Sequence, residues 1–173
     1  MWDSPSGAAD LRNVGPGVTV SWQTSDADAD AALRAHVALV REVEAGEVAV
    51  GRLCRRCGST EHGRPWASHD VHVSLARSTP FLVTAVSTRG PVGVDVEELE
   101  RVDRAWAALA SVLECGDLEG GHERAQLWCR TEAALKRAGT GFAPPYDVRV
   151  RELGRVDDLP APEGCCAAVA YDD

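Results

Sequence analysis

The feature that most constrains this chain is a pair of short motifs, Gly93-Val94-Asp95-Val96-Glu97 and, further on, Trp128-Cys129-Arg130-Thr131-Glu132-Ala133-Ala134-Leu135-Lys136. In the first, Val92, Val94 and Val96 alternate with non-apolar positions, the period of a β-strand. Asp95 and Glu97, two residues apart, then project together and away from the valines. The second motif reads as a helix, where residues four apart share a face, so Glu132 and Lys136 stand one turn from each other and Trp128 a turn before. Two carboxylates on a strand and one on a helix suit a hard divalent cation such as Mg²⁺, which takes oxygen ligands and leaves room for substrate phosphate. A phosphate-handling site is the first expectation.

The 173 residues suffice for one domain, or two small closely packed halves, with a real core and no staples. The formal net charge of -9 disfavours a protein that coats nucleic acid, because that mode rests on clustered positive charge. No run reaches the length of a membrane span, and the segment from Met1 to Asp10 lacks the basic and apolar regions of a signal peptide. A soluble cytoplasmic protein is expected. Basic residues are arginine almost throughout, and Lys136 is the only lysine. Unlike a guanidinium, an ammonium exchanges a proton readily, which marks Lys136 as a candidate for chemistry.

Residues 1–17, rich in Ser, Gly, Pro and Asp, are expected to form a mobile tail. Val18 to Trp22 is β-prone. Ser25-Asp26-Ala27-Asp28 offers capping side chains to a helix whose apolar side carries Leu33, Val37 and Val40 and which is expected to end near Gly46. His72–Leu75, Phe81–Ser87 and Pro91–Glu97 read as three strands of a meander. Asp103–Leu113 reads as a helix, and the motif helix runs from His122 to Ala138, ended by Gly139, with Leu127, Ala134, Leu135 and Ala138 as its expected buried side. Tyr146–Leu153 and Cys165–Tyr171 are further strand candidates, with 154–164 as a loop between them. An α+β fold follows, with half-domains over 18–90 and 91–173.

Of the six cysteines, Cys54 and Cys57 form a Cys-x-x-Cys pair with His62 five residues on and His69 and His72 beyond. These are zinc-ligand types, although a glycine-rich turn with reduced thiols fits the same residues. The Gly63-Arg64-Pro65 step holds an arginine in position to reach a phosphate.

With these pieces in place, the chain from Cys54 to Tyr171 resembles the 4'-phosphopantetheinyl transferase superfamily, in its larger pseudo-dimeric, surfactin-synthetase-activating class, as a divergent and N-terminally shortened member. That family carries a Gly-(Ile/Val)-Asp-(Ile/Val)-Glu strand followed by a Trp-(Ser/Cys/Thr)-x-Lys-Glu-Ala-x-x-Lys helix, matched here by Gly93–Glu97 and Trp128–Lys136. The Cys-Gly…His-Gly-Arg-Pro stretch and Val71-His72-Val73-Ser74 also look like the family's approach to its site. The resemblance implies two pseudo-symmetric halves, each a helix packed on a small antiparallel sheet. It implies transfer of the phosphopantetheine arm of coenzyme A to a serine of an acyl or peptidyl carrier protein, in secondary metabolite biosynthesis. On the same ground Asp95, Glu97 and Glu132 are expected to hold Mg²⁺ and Glu132 to take the serine proton. Lys136 is expected beside the leaving phosphate, and Arg64 and Arg77 join it in binding coenzyme A.

Three positions depart from the family pattern. The lysine before the helix glutamate is Thr131, the Ser-His-Ser triplet appears as Ala76-Arg77-Ser78, and the Asp-Arg-x-Arg-(Phe/Tyr) cluster that grips the adenosine phosphates is missing, with Arg34 and Arg41 as candidates for its place. The departures keep two other readings open: a member turned to another substrate within a biosynthetic pathway, and a non-catalytic module that binds carrier proteins. A self-contained monomer is expected.

Overall fold

Strand β7 (Val92–Glu98) is buried on both faces, and its two faces sort the molecule into layers. The computed structural model describes residues 10–113, 118–140 and 155–172. In chain order the remaining described elements are β1 (Asp10–Gly15), β2 (Val18–Thr24), α1 (Ala29–Arg41), a single 3-10 turn (Ala45–Glu47), β3 (Val50–Leu53), β4 (Arg64–Ala67), β5 (His72–Ser78) and β6 (Phe81–Ser87). After β7 come α2 (Leu99–Leu113), α3 (Gly121–Ala138), β8 (Arg155–Leu159) and β9 (Cys165–Tyr171). The fold is mixed α+β with antiparallel sheets. Among the described residues no helix is long and apolar enough to cross a membrane.

One sheet has the order β1-β2-β6-β5 and another β7-β9-β8, while β3 and β4 form a separate two-stranded ribbon. The valines of β7 meet Val18, Val20 and Trp22 of β2 and Val83 and Ala85 of β6, so the two larger sheets share a core. Helix α1 covers the outer face of the first sheet, placing Leu33 and Val37 against Val73 and Val86. Helices α2 and α3 cover the outer face of the other, where Trp106, Trp128, Ala133 and Ala134 meet Ala168 and Ala170. The result is an α-β-β-α stack. His36 sits buried in α1 between the hydroxyls of Thr19 and Thr84, at 2.9 and 2.8 Å, and burial pushes its pKa down to about 4, so it serves as a neutral strut.

Several expectations change. The tail expected over 1–17 gives way at Asp10–Gly15, which pairs with β2. Helix α1 starts after the expected capping stretch, with Asp28 as the cap, but stops at Arg41, short of Gly46, because Glu42 turns into the left-handed region and its N–H bonds Ala38 O. The three-strand meander does not form. β5 and β6 are a hairpin, but β7 leaves them and pairs residue by residue with β9, from Val92↔Tyr171 to Glu98↔Cys165. A flat valine face cannot both join the first sheet's edge and pack on its surface; β7 packs. The Pro, Asp and Gly content of 154–164 reads as a loop, yet β8 lies within it, held by Tyr171 Oη donating to Asp157 at 2.6 Å and by Arg155 over the Tyr171 ring. The strand expected over Tyr146–Leu153 lies outside the described residues.

Candidate functional site

The site begins with a glycine. A Cβ on Gly93 would lie 1.9 Å from Ala133 O and 2.5 Å from Arg137 N, so α3 rests its backbone directly on β7 where β7 has no side chain. Small residues on the helix match this approach. The buried side of α3 is Ala125, Trp128, Cys129, Thr131, Ala133 and Ala134; of the expected side, Ala134 is buried, Leu127 and Leu135 are half-buried and Ala138 is exposed, so the helix is rotated from that expectation. That rotation carries Glu132 and Lys136 over the carboxylate face of β7.

Lys136 Nζ donates to Asp95 Oδ1 at 2.7 Å and to Val94 O at 3.1 Å. Asp95 itself is buried, and among the described residues its second oxygen, Oδ2, has no hydrogen-bond partner. Burial pushes the Asp95 carboxyl up to about 6, against the opposing pull of Lys136 and with a further push from Glu132. Glu97, which accepts from Trp128 Nε1 at 3.3 Å, is raised by burial and then by Asp95. Glu132 is raised by burial, opposed by Lys136 and reinforced by Glu97. The three carboxylates therefore lie close enough to resist one another's ionisation, with a single ammonium among them.

Such a group suits a hard cation, since the orphaned Asp95 Oδ2 is an oxygen ligand without a donor and like charges gain by sharing a counter-ion. Asp95, Glu97 and Glu132 are not, however, drawn to ligand spacing. Among the described residues, the potential metal-ligand atoms within 4.8 Å of one another belong to Cys54, Cys57 and His62.

Lys136 also lines a cleft of ≈ 370 Å³ walled by the β3–β4 ribbon, by Val73, Ser74 and Leu75 of β5 and by the C-terminal turn of α3. Four arginines, Arg52, Arg55, Arg56 and Arg64, share that wall. Arg64 is folded over the helix end: its Nη2 donates to Arg137 O at 3.4 Å, and its Nη1 occupies the space a Cβ on Gly139 would take. Gly139 adopts φ +73°, the left-handed cap conformation that its sequence position indicates. Ser74 Oγ accepts from Val94 N at 3.1 Å and so ties the cleft wall to the carboxylate strand.

The structure thus brings Asp95, Glu97, Glu132, Lys136 and Arg64 into one region. It does not bring Arg77 there: Arg77 Nη2 donates to Ala27 O at 2.7 Å, and the residue is not among those lining the cleft. Nor are Arg34 and Arg41, both on α1; Arg41 Nη2 bonds Asp70 O. Thr131 faces inward and returns its hydroxyl to Leu127 O at 2.8 Å. The cationic residues that sequence reasoning missed are Arg52, Arg55 and Arg56. Their signal was arginine density around the Cys-x-x-Cys pair, in a stretch where only Arg64 was read for phosphate.

No protein-family profile matches the chain. One curated protein similar to it is the 4'-phosphopantetheinyl transferase gsp of Aneurinibacillus migulanus, 26% identical over 82 residues. The matched stretch is 47% of this chain and 30% of that protein, so the chain aligns with less than a third of its relative's length.

Proposed function

We propose that this chain transfers the 4'-phosphopantetheine arm of coenzyme A to a serine hydroxyl of an acyl or peptidyl carrier protein. The observation that carries the reading is the position of Lys136, bonded to Asp95 on one side and lining the arginine-walled cleft on the other. A polyanion with an apolar arm, such as a coenzyme A molecule, matches a cleft with guanidinium groups beside Val73, Leu75 and Pro65. Residues 18–90 and 91–173 are read as two half-domains, the first joined by β1 and carrying one helix on its sheet, the second carrying two, with the cleft where they meet.

In this reading Asp95, Glu97 and Glu132 would hold Mg²⁺. When bound, the ion neutralises charge that develops on the pyrophosphate oxygens. The serine oxygen attacks the phosphorus that carries the pantetheine arm. A new P–O bond forms as the bond to 3',5'-ADP breaks. Glu132, whose proton affinity burial raises, accepts the serine proton. Lys136 stabilises the phosphate of the departing nucleotide, and Arg52, Arg55, Arg56 and Arg64 orient the coenzyme phosphates.

A transferase acting on a different anionic substrate is the second reading, favoured by Thr131 and Arg77, neither of which offers a phosphate contact at the cleft. Incubation with coenzyme A, Mg²⁺ and several apo carrier proteins, followed by intact mass measurement, separates the two. Carrier serine gaining the arm is the expected result, abolished by Asp95→Ala. No added mass on any carrier, together with no calorimetric binding of coenzyme A, overturns the proposal; binding without transfer favours the second reading.

A further inference from the structure

The loop between β3 and β4 brings two thiols and an imidazole together outside the carboxylate site. The ligand atoms of Cys54, Cys57 and His62 all lie within 4.8 Å of one another, with Cys57 Sγ and His62 Nε2 3.5 Å apart. Tetrahedral zinc with Zn–S near 2.3 Å and Zn–N near 2.05 Å requires a sulfur-to-nitrogen separation of about 3.6 Å. The Cys57–His62 separation already matches that of two ligands on one zinc ion, and Cys54 Sγ lies within 4.8 Å of both.

The backbone around the thiols is built to hold this arrangement. Cys54 N donates to Ser59 O at 2.9 Å and Gly58 N to Cys54 O at 2.8 Å, which closes a tight turn around the Cys-x-x-Cys pair. Gly58, directly after the second cysteine, takes φ +72°. Gly63 lies at φ +112°, where a Cβ would come within 2.5 Å of Cys54 N and Leu53 O, so the chain carrying His62 returns flush against the start of the loop. His69 and His72 take no part in this cluster; His69 Nδ1 bonds Ser68 Oγ.

We propose that Cys54, Cys57 and His62 bind a zinc ion, with the fourth position taken by solvent or an anion at the exposed loop surface. Two thiolates and an imidazole are the soft and borderline donors zinc prefers, and hard cations such as Mg²⁺ do not take them. The site pins the loop that presents Arg55 and Arg56, which sit between the two cysteines and line the cleft. Its existence does not depend on the reaction proposed above.

The test uses the full chain, reduced and stripped of metal, then titrated with Co²⁺ and afterwards with Zn²⁺. A thiolate-to-cobalt charge-transfer band with ligand-field bands of tetrahedral intensity is expected, saturating at about one equivalent and abolished by Zn²⁺. Cys57→Ser should remove the charge-transfer band or weaken zinc binding by more than about 100-fold, since even outer partners of metal ligands change affinity about 10–100-fold. Cys165→Ser, at a distant cysteine, should leave it unchanged. Should Cys57→Ser fail to fold, zinc-dependent protection of Cys54 and Cys57 from alkylation in the unmutated chain, mapped by mass spectrometry, gives an independent readout. No thiolate band in the reduced unmutated chain, a band that survives Cys57→Ser, or a Cys54–Cys57 disulfide with no metal affinity after its reduction would each overturn the proposal.

Discussion

Without divalent metal, the folded protein should become less stable as pH rises through the range in which Asp95 ionises. Its carboxyl titrates at about 6 in the folded state against 3.8 for the unperturbed group, chiefly because burial disfavours the charge. Between those values the native state binds more protons than the unfolded one. The contribution is therefore fully present below about pH 4 and lost as pH passes through about 6. The gap from 3.8 to about 6, at 1.36 kcal/mol per pH unit, is worth about 3 kcal/mol. The attraction of Lys136 is already included, since it acts on the same folded carboxyl. Asp95→Asn keeps the side chain's shape and removes the titration. Urea unfolding of both proteins in chelator, followed by tryptophan fluorescence across this range, should show the mutant gaining about 3 kcal/mol on the unmutated chain by neutral pH. Mg²⁺ at about 100 times its dissociation constant should then restore about 2.7 kcal/mol to the unmutated chain and nothing to the mutant. A stability difference that stays flat with pH would refute the buried, proton-linked carboxylate.

Gly93→Ala should cost at least the upper end of the usual overpacking range, about 3 kcal/mol, because the new methyl meets helix backbone and not a side chain that can swing aside. A mutant within about 0.5 kcal/mol of the parent in urea unfolding would show that α3 does not rest on β7. Lys136→Met removes the charge that holds Asp95 down, so the Asp95 midpoint should move above about 6 in carbon-13 carboxyl titrations; an unmoved midpoint would place the ammonium elsewhere in solution. Arg55→Gln and Arg56→Gln should each weaken coenzyme A binding about tenfold in calorimetry, the worth of a charge-assisted hydrogen bond, while leaving the fold intact. Unchanged affinity in both would remove the β3–β4 loop from the binding surface.

The parts legible in the sequence are those written in local periodicity. Alternating valines marked β7, and the glycine after Ala138 marked the end of α3. The parts that were not legible depend on partners distant in the chain. Glu42 ends α1 without any glycine to announce it. Asp157 and Asp158 argue against a strand until Tyr171 and Arg130 supply their hydrogen bonds. Which side of α3 is buried could not be read from its leucines, because the deciding contact is between its backbone and a residue with no side chain, Gly93. The arginine wall was in view residue by residue, but its convergence requires the β3–β4 ribbon to lie alongside β5 and the end of α3.

Lys136 is the only lysine in the sequence, and its side chain is 28% exposed. Apart from a free chain terminus, an amine-reactive reagent therefore has one address in this molecule, and that address is the bond between the cleft and Asp95. A fluorophore or isotope tag placed there would report on whatever enters, with no engineering of the chain. The same arrangement makes the protein vulnerable: one acetylation would cancel the ammonium, leave Asp95 among its fellow acids uncompensated, and alter the cleft wall at once.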